Sequence, residues 1–504
     1  MEKLTVLLFL SWSEPTPFVK IFFLLKSSVM HSIFELYLSW AHIQVVKVSY
    51  FSYKSEKNEV PVQVGNGSTV PLVDGNKRDE ELGTYNPADH RDLKHPTSDL
   101  DTLIHLLKGS LGSGILSMPL AFAHAGLAMG LACTLLVGII CTYCVHILVK
   151  SAHILYKRNR VPALGFAELA HASFLAGPKS YHQWAQFAKS MINFFLVVDL
   201  LGCCCVYIGF VASNMKHVID ANTGTDYDVR LYMAALLPLL IAVNLIRNLK
   251  YLAPFSMLAN IFIGTGMAIT YYYLIQDLPS VETAPQFVEI KQLPMFFGTA
   301  IFALEGIGVV MPLENNMKHP NHFIGCPGVL NIGMAFVVAL YSITGFLGFL
   351  KYGTSVQSSI SLNLPKDEAL AQSVKVMIAL AIFFTYSLQF YVPMEIIWKN
   401  VKSKFTSRPN LSEYTIRISL IILTVALAIL VPNISGFISL VGAVCLSMLG
   451  MIFPAIIESL TLYEEPGFGK WSWRLYKNIF LIIFGLVGFL TGSYVSIQEI
   501  FSSQ

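Results

Sequence analysis

The chain of 504 residues is 54% apolar and 13% charged, with a formal net charge of +3. Because an average soluble domain is about 25% charged, this composition excludes a soluble globular enzyme and a disordered protein. The small net charge also excludes a nucleic-acid binder, which needs a strongly positive surface to attract a polyanion. The composition is typical of a membrane protein with many spans.

Two regions precede the first long apolar run. Residues 1–55 contain three short apolar runs, none of which reaches the roughly 18 residues that cross a bilayer, so we interpret them as an atypical apolar extension. A signal peptide is disfavoured because the first residues carry no net positive charge and no clear cleavage site follows. Residues 56–100 are rich in charged residues, Asn, Gly and Pro, which predicts a disordered cytosolic tail.

Residues 101–504 form the predicted transmembrane domain, with about eleven apolar runs of roughly 18–25 residues. Strands of an outer-membrane barrel would be shorter, about ten residues each, and would alternate in polarity. The sequence therefore predicts an all-α polytopic membrane fold in contact with the lipid bilayer. The predicted spans are 101–125, 127–150, 187–212, 231–247, 251–275, 294–313, 328–350, 370–398, 414–431, 434–459 and 476–499.

The lysines and arginines between these spans predict the orientation. With the N-terminus in the cytosol, the inner loops hold about 15 of them and the outer loops about 5, as the positive-inside rule requires. The odd number of spans then puts the C-terminus on the extracellular or luminal side.

The first span carries three glycines within six residues, Gly109, Gly112 and Gly114, interleaved with Ser110 and Ser113. Each glycine costs about 1 kcal/mol in a helix relative to alanine, so three together predict a break. The N–H groups that begin the second half-helix would then bind a substrate carboxylate. The alternative is close helix packing through small residues.

The sixth span carries a second interruption, with Phe302, Glu305, Gly306 and Gly308 closed by Pro312. Carboxylates inside a membrane are rare and face a cavity or a partner. Unwound carbonyls here would accept a substrate ammonium, whereas the alternative is a Glu305 that caps its own half-helix. Interruptions in spans 1 and 6 predict a 5+5 inverted repeat with a binding site at the midplane.

His105 precedes the first break by one turn. Its ordinary pKa near 6.5 makes it the first candidate for proton coupling; the alternative is a histidine that anchors its half-helix at the membrane interface. Glu305 and Glu395 are the next candidates. Thr385 and Ser387 in the eighth span would supply oxygen ligands for Na⁺, so Na⁺ coupling stays open.

Five motifs of the membrane domain resemble those of a known family. They are Ile104–Gly114, Phe296–Phe302, Glu305–Gly308, Pro312–Asn315 and Phe383–Pro393. In this order they are similar to the animal proton-coupled amino acid transporters of the amino acid/auxin permease group, and the chain is most like the insect members. The resemblance covers nearly the whole membrane domain.

The resemblance implies an amino acid–polyamine–cation type fold with broken helices 1 and 6. It implies symport of small neutral amino acids such as alanine, glycine and proline with H⁺ as the coupling ion and no cofactor. It implies residence at the plasma membrane or the lysosomal or late-endosomal membrane. The family's proton-linked histidine corresponds to His105, and its substrate-facing glycines correspond to Gly109–Gly114.

One departure from the family concerns a disulfide. Vertebrate members pair cysteines from the loops after spans three and seven, whereas residues 214–230 and 351–369 of this chain contain no cysteine. Any transport property that depends on this bridge is therefore not implied for this chain.

Two other function classes are weighed against a symporter. An amino acid sensor of the same fold would signal growth through unknown partners and move little substrate. An enzyme is disfavoured because no nucleophile–base arrangement or metal motif such as His-Glu-x-x-His occurs. Cys141-x-x-Cys144 lies in a spanning helix and lacks the βαβ context of a redox motif.

Overall fold

A computed structural model describes residues 85–502, except residues 92, 94, 95, 111, 247, 248, 305, 326, 406, 407 and 465. The predicted N-terminal extension, most of the predicted tail and Glu305 therefore lie outside the described residues. The described part is helical and contains an isolated β-bridge between Thr97 and Met317 but no strand.

The α-helices of the described part are numbered in chain order. They are α1 Asp99–Ser110, α2 Gly114–Ala125, α3 Leu127–Asn159, α4 Phe166–Ala176, α5 Ala185–Thr223, α6 Val229–Asn244, α7 Leu249–Ile275, α8 Leu293–Ala303, α9 Ile307–Asn315, α10 Val329–Tyr352, α11 Ala369–Val401, α12 Pro409–Leu430, α13 Ile434–Val441, α14 Phe453–Thr461 and α15 Trp473–Ser502. Two π-helical segments, Gly442–Leu446 and Met448–Ile452, continue α13 toward α14.

The helices confirm the predicted polytopic membrane fold. Nine spans among the described residues are long and apolar enough to cross a membrane, and the bent pair α1–α2 makes ten. The shorter apolar helix α6 is the eleventh, and its 16 residues reach about 24 Å. The first span is α1 with α2, the sixth is α8 with α9, and the tenth runs from α13 to α14. Helix α4, between the second and third spans, was not predicted.

Corresponding spans of the two halves pack in corresponding ways. In the first span α2 packs on the seventh span, α10, just as α8 of the sixth span packs on the second span, α3. The fifth span, α7, packs on the eighth, α11, just as α13 of the tenth packs on the third, α5. In an inverted repeat, each span of the first five corresponds to the span five positions later in the chain. The contacts of one half should therefore recur between the corresponding spans of the other, as they do here.

Glycines let the spans around α8 approach closely. A Cβ on Gly442 would overlap the carbonyl oxygen of Gly298, and a Cβ on Gly298 would overlap the side chain of Ser439. Small residues allow such backbone contacts in membranes, where lipid gives no hydrophobic force between helices. The tenth span therefore lies directly against α8, and this packing fixes the position of the sixth-span break.

Residues 85–98 were assigned by composition to the disordered tail, but the structure packs them against the membrane domain. Thr97 donates its N–H to the carbonyl of Asn316, and Lys318 returns an N–H to the carbonyl of Thr97, at 2.9 and 3.0 Å. The Arg91 side chain is 4% exposed and bonds Glu314. These partners are distant in sequence, so a local polar composition could not indicate them.

The opposite end of the bundle from the start of α1 is covered by the segment between α10 and α11. Ser359, Ile360, Ser361 and Leu362 are buried there. The Ser361 hydroxyl donates to the side-chain oxygen of Asn214 on α5 at 2.7 Å. This hydrogen bond joins the segment between α10 and α11 to α5.

The packing of the tenth span generates a stability prediction. We expect Gly442→Ala to lower the free energy of unfolding by about 1–3 kcal/mol, because its new methyl group meets a backbone oxygen that cannot move aside. Gly450→Ala, in the other π-helical segment, is the matched control, since no atom lies within 4 Å of its Cβ position. Thermal unfolding of the purified proteins in detergent measures both. Equal melting temperatures for the two variants would contradict the prediction.

Candidate functional site

The predicted break in the first span is present. Helix α1 ends at Ser110, α2 begins at Gly114, and their axes differ by 54°. The start of α1 is fixed by a capping box in which Asp101 donates its N–H to the Ser98 hydroxyl and the Asp101 carboxylate accepts the N–H of Ser98. No side chain caps α2, and the Leu116 N–H donates to the Ser113 carbonyl at 3.1 Å, so Gly114 and Ile115 carry the first N–H groups of the helix at the break.

The predicted break in the sixth span is also present and lies against the first. Helix α8 ends at Ala303 and α9 begins at Ile307, and no side chain caps α9. A Cβ on Gly306 would lie 2.9 Å from the Ser110 hydroxyl oxygen, and a Cβ on Gly114 would lie 2.5 Å from the Ala303 Cα. The two interruptions therefore form one site in which each glycine permits a backbone approach.

Two uncapped helix N-termini meet at this site. The first N–H groups of α2 and α9 carry the positive ends of their helix dipoles, which favour an anion such as a carboxylate. The C-terminal ends of α1 and α8 bring carbonyl oxygens to the same region, and these oxygens favour a cation such as an ammonium. The arrangement suits a ligand that carries both charges close together.

Hydroxyl groups add polarity to the site. Tyr341 on α10 donates its hydroxyl to the Ser110 carbonyl at 2.5 Å, which satisfies one acceptor at the end of α1. The buried hydroxyls of Ser110 and Ser387 have no hydrogen-bond partner among the described residues. A buried polar group of this kind costs free energy unless it finds a partner, so Ser110 is available to a ligand at the break.

A small cavity lies beside the sixth-span break. Leu304, Gly306 and Ile307 form one wall, and Leu106 of α1 and Cys141 of α3 form others. Its volume is about 30 Å³, which is room for about two water molecules. An amino acid is larger, so a substrate at this position requires the half-helices or their neighbours to move apart.

The remaining predicted substrate residues differ in their surroundings. Ser113 is buried, whereas Gly112 is half-buried with no atom within 4 Å of its Cβ position. Phe302 is buried and its Cβ lies 3.0 Å from the Cβ position of Gly442, so it packs toward the tenth span. Gly308 lies half-buried in the first turn of α9, and Glu305 lies outside the described residues.

The two predicted proton-coupling residues that the structure describes, His105 and Glu395, lie at the surface of the bundle. His105 is exposed on α1, on the same side as Ile104 and Lys108, and Glu395 is exposed on α11. Among the described residues no hydrogen bond or ion pair joins either of them to the other or to the break. Their assignment as proton carriers stays a prediction. The described residues also contain no group of three His, Cys, Asp or Glu side chains that could hold a metal ion.

Sequence reasoning missed the contributions of Tyr341 and Cys141. Tyr341 lies 231 residues from its partner Ser110, and Cys141 was considered only as half of a redox motif. Both sit in the middle of long apolar runs, where hydropathy gives no sign of which side chain turns toward the break. A helical projection of span seven would show Tyr341 as a polar position, but not what it bonds.

Comparisons with known proteins agree with a transporter architecture. The sequence model of the family described as "Transmembrane amino acid transporter protein" matches residues 95–498. The chain is 46% identical over 440 residues to the Drosophila melanogaster "proton-coupled amino acid transporter-like protein pathetic", covering 86% of this chain and 93% of that protein. It is 26% identical over 425 residues to the Arabidopsis thaliana "amino acid transporter AVT3C", covering 81% and 92%.

Among solved structures, the fold resembles Mhp1, a nucleobase-cation-symport-1 family transporter in a closed conformation with bromovinylhydantoin bound. The TM-score is 0.46 at 11% sequence identity, covering 83% of this chain and 96% of that one.

The chain has the architecture of a membrane transporter with two broken helices. It belongs to the transmembrane amino acid transporter family, whose model matches residues 95–498. It is therefore a multi-pass membrane protein of a transporter family and not an enzyme.

The glycines of the first break generate a paired prediction. We expect Gly114→Ala to abolish amino acid transport, because the added methyl group would meet the Ala303 backbone at 2.5 Å and push the two breaks apart. We expect Gly112→Ala to keep transport, since its Cβ position is open, and Gly112→Leu to abolish it by filling the space at the start of α2. Uptake per molecule of protein at the membrane measures all three. Normal uptake by Gly114→Ala or Gly112→Leu would contradict the assignment of the site.

Proposed function

We propose that this protein is a proton-coupled symporter of small neutral amino acids of the alanine, glycine and proline class. The observation that carries the proposal is the meeting of two uncapped helix N-termini, at Gly114 and Ile307, with the carbonyl ends of α1 and α8. This pairing suits the carboxylate and the ammonium of a zwitterion. The family and the name of the Drosophila relative support the same reading.

The preference for a small neutral side chain follows from the residues of the two breaks. Residues 109–114 and 303–308 contain three and two glycines and no lysine, arginine or histidine. No basic side chain there would pair with an acidic side chain of the substrate. In this proposal the carboxylate binds at the Gly112–Gly114 amides and the ammonium near the carbonyls around Glu305.

We also propose that the N-terminus faces the cytosol and that the protein works at the plasma membrane or the lysosomal or late-endosomal membrane. The orientation rests on the excess of lysine and arginine in the loops at the end where α1 begins. The described basic residues at that end include Lys157, Arg158, Arg160 and Lys318.

Uptake of radiolabelled alanine into proteoliposomes tests the function. We expect uptake that rises when the pH of the substrate side is lowered, that drives inward current, and that does not require Na⁺. Each positive charge moved inward gains about 2.3 kcal/mol per 100 mV, enough to concentrate a neutral substrate about 50-fold. Uptake that needs Na⁺ and ignores pH would replace H⁺ with Na⁺ as the coupling ion.

Competition by other amino acids tests the selectivity. We expect unlabelled alanine, glycine and proline to inhibit alanine uptake and glutamate to inhibit it weakly, because the breaks contain no lysine, arginine or histidine to pair with an additional negative charge. A strong preference for glutamate or arginine would contradict the proposed binding mode.

His105 is the residue we expect to carry the coupling proton. His105→Ala should lose acid-stimulated uptake while alanine binding at fixed pH survives, since the residue lies one turn before the break and is exposed on α1. His319→Ala, an exposed histidine in the loop after α9, is the matched control. Wild-type acid stimulation in His105→Ala would move the proton role to Glu305 or Glu395, which Gln substitutions would then distinguish.

A further inference from the structure

A buried ionic cluster lies at the end of the bundle where α1 begins. Glu314, in the last turn of α9, is fully buried, and its carboxylate accepts hydrogen bonds from Arg91 at 2.9 Å and from Tyr156 at 3.2 Å. His153 lies 2.9 Å from the same carboxylate oxygen that Arg91 binds. We call these four residues the Glu314 clamp.

Arg91 is the member of the clamp that bonds two other segments of the chain. Its Nη1 donates to the main-chain carbonyl of Glu314 and its Nε donates to the carbonyl of Pro162, each at 2.9 Å. One guanidinium thus joins the segment before α1 to the sixth span and to the loop after the second span. The planar guanidinium can hold three acceptors in fixed directions, which the ammonium of a lysine cannot reproduce.

The segment between Arg91 and α1 also contacts the loop that follows α9. Thr97 pairs with Met317 through an isolated β-bridge, and Asp99 accepts a bond from His322 at 2.8 Å. All of these contacts join the chain that enters α1 to the chain that leaves α9. The two half-helices that border the breaks at this end are therefore tied together at their far ends.

Helix α1 has few other attachments. Only Thr102, Leu106 and Ser110 of its twelve residues are buried, and it packs mainly on α9 and α10. Its other side is exposed at Leu100, Ile104 and Lys108. A helix held by three side chains in its own length depends on contacts beyond its ends to keep its position.

We propose that Arg91 and Glu314 are positioning residues for transport: the Glu314 clamp keeps α1 and α9 moving as one body, so that the two breaks open and close together. The inference rests on the proposed function, because it assigns a role in the transport cycle. Leu106 of α1 and Ile307 of α9 both line the cavity beside the break. When the clamp is removed, α1 is displaced from α9, and the cavity that Cys141 lines opens.

The cavity supplies a readout that is independent of transport. Cys141 lines it and is partly exposed, whereas the other cysteines among the described residues are buried. The rate at which a small maleimide modifies Cys141, read from its peptide by mass spectrometry, therefore reports how far α1 is displaced. A purely structural role of Arg91 in folding would not raise this rate in protein that is folded.

The test compares Arg91→Ala, Glu314→Gln, the double variant and Arg91→Lys, each reconstituted as the full chain in proteoliposomes. We expect each single variant to lower the maximal rate of alanine uptake by about fivefold or more, with KM unchanged. About fivefold is the lower end of the range that is typical for energetic coupling between two sites. The double variant should be no slower than the slower single variant, because the two residues act through one contact. Cys141 labelling should rise in all of them.

Lys318→Ala is the matched control, since it removes a positive charge from the same end of α9 at an exposed position. We expect it to behave as wild type in uptake and labelling. Wild-type uptake and labelling in folded Arg91→Ala, or losses that add in the double variant, would overturn the proposal. If Arg91→Ala does not fold, Arg91→Lys decides by the same two measurements.

Failure of the proposed function has a different signature. If the wild-type protein moves no alanine above empty liposomes, the symport proposal fails, and Cys141 labelling alone then decides whether the clamp holds α1. Labelling that is equal in wild type and the clamp variants would overturn the clamp whatever the wild-type protein transports.

Discussion

The structure depends on one constraint: inside a bilayer every backbone N–H and C=O group needs a partner within the protein. The unbroken α-helices of the described part meet it largely with their own i→i−4 bonds. At the two breaks some backbone N–H and C=O groups have no partner within their own helix. Neighbouring side chains supply a hydrogen bond to some of these groups and not to others. Tyr341 takes the carbonyl of Ser110, whereas the N-termini of α2 and α9 have no side-chain cap. These uncapped N-termini are the place where we propose that the substrate carboxylate binds.

Holding two breaks together without a hydrophobic force requires close backbone contact, and glycine provides it. Gly114 brings α2 onto Ala303, and Gly442 brings the tenth span onto Gly298 at the other side of α8. Helix α8 is thus fixed between two backbone surfaces, which positions the break at its end. A methyl group at Gly442 would therefore move a site that it does not touch. Packing and binding geometry therefore cannot be separated in this part of the fold.

The two ends of the bundle are held by different chemistry. The end where α1 begins has a buried ion pair, Arg91 with Glu314, which is costly to break because either partner alone would be an uncompensated buried charge. The opposite end combines a neutral hydrogen bond between Ser361 and Asn214 with the buried Lys375, whose ammonium donates to the Leu364 carbonyl at 3.0 Å. Both ends therefore bury charged groups, but with different partners.

The sequence by itself determined the spans and the positions of both breaks. Hydropathy and glycine content act over a few residues, so apolar runs and the Gly109–Gly114 cluster are readable locally. Only the tertiary structure decided which side chains meet: Arg91 lies 223 residues from Glu314 and was assigned to a disordered tail, and Tyr341 lies 231 residues from Ser110. It also placed His105 and Glu395 at the surface. Such pairings depend on how distant helices rotate and pack against one another, which local composition does not encode.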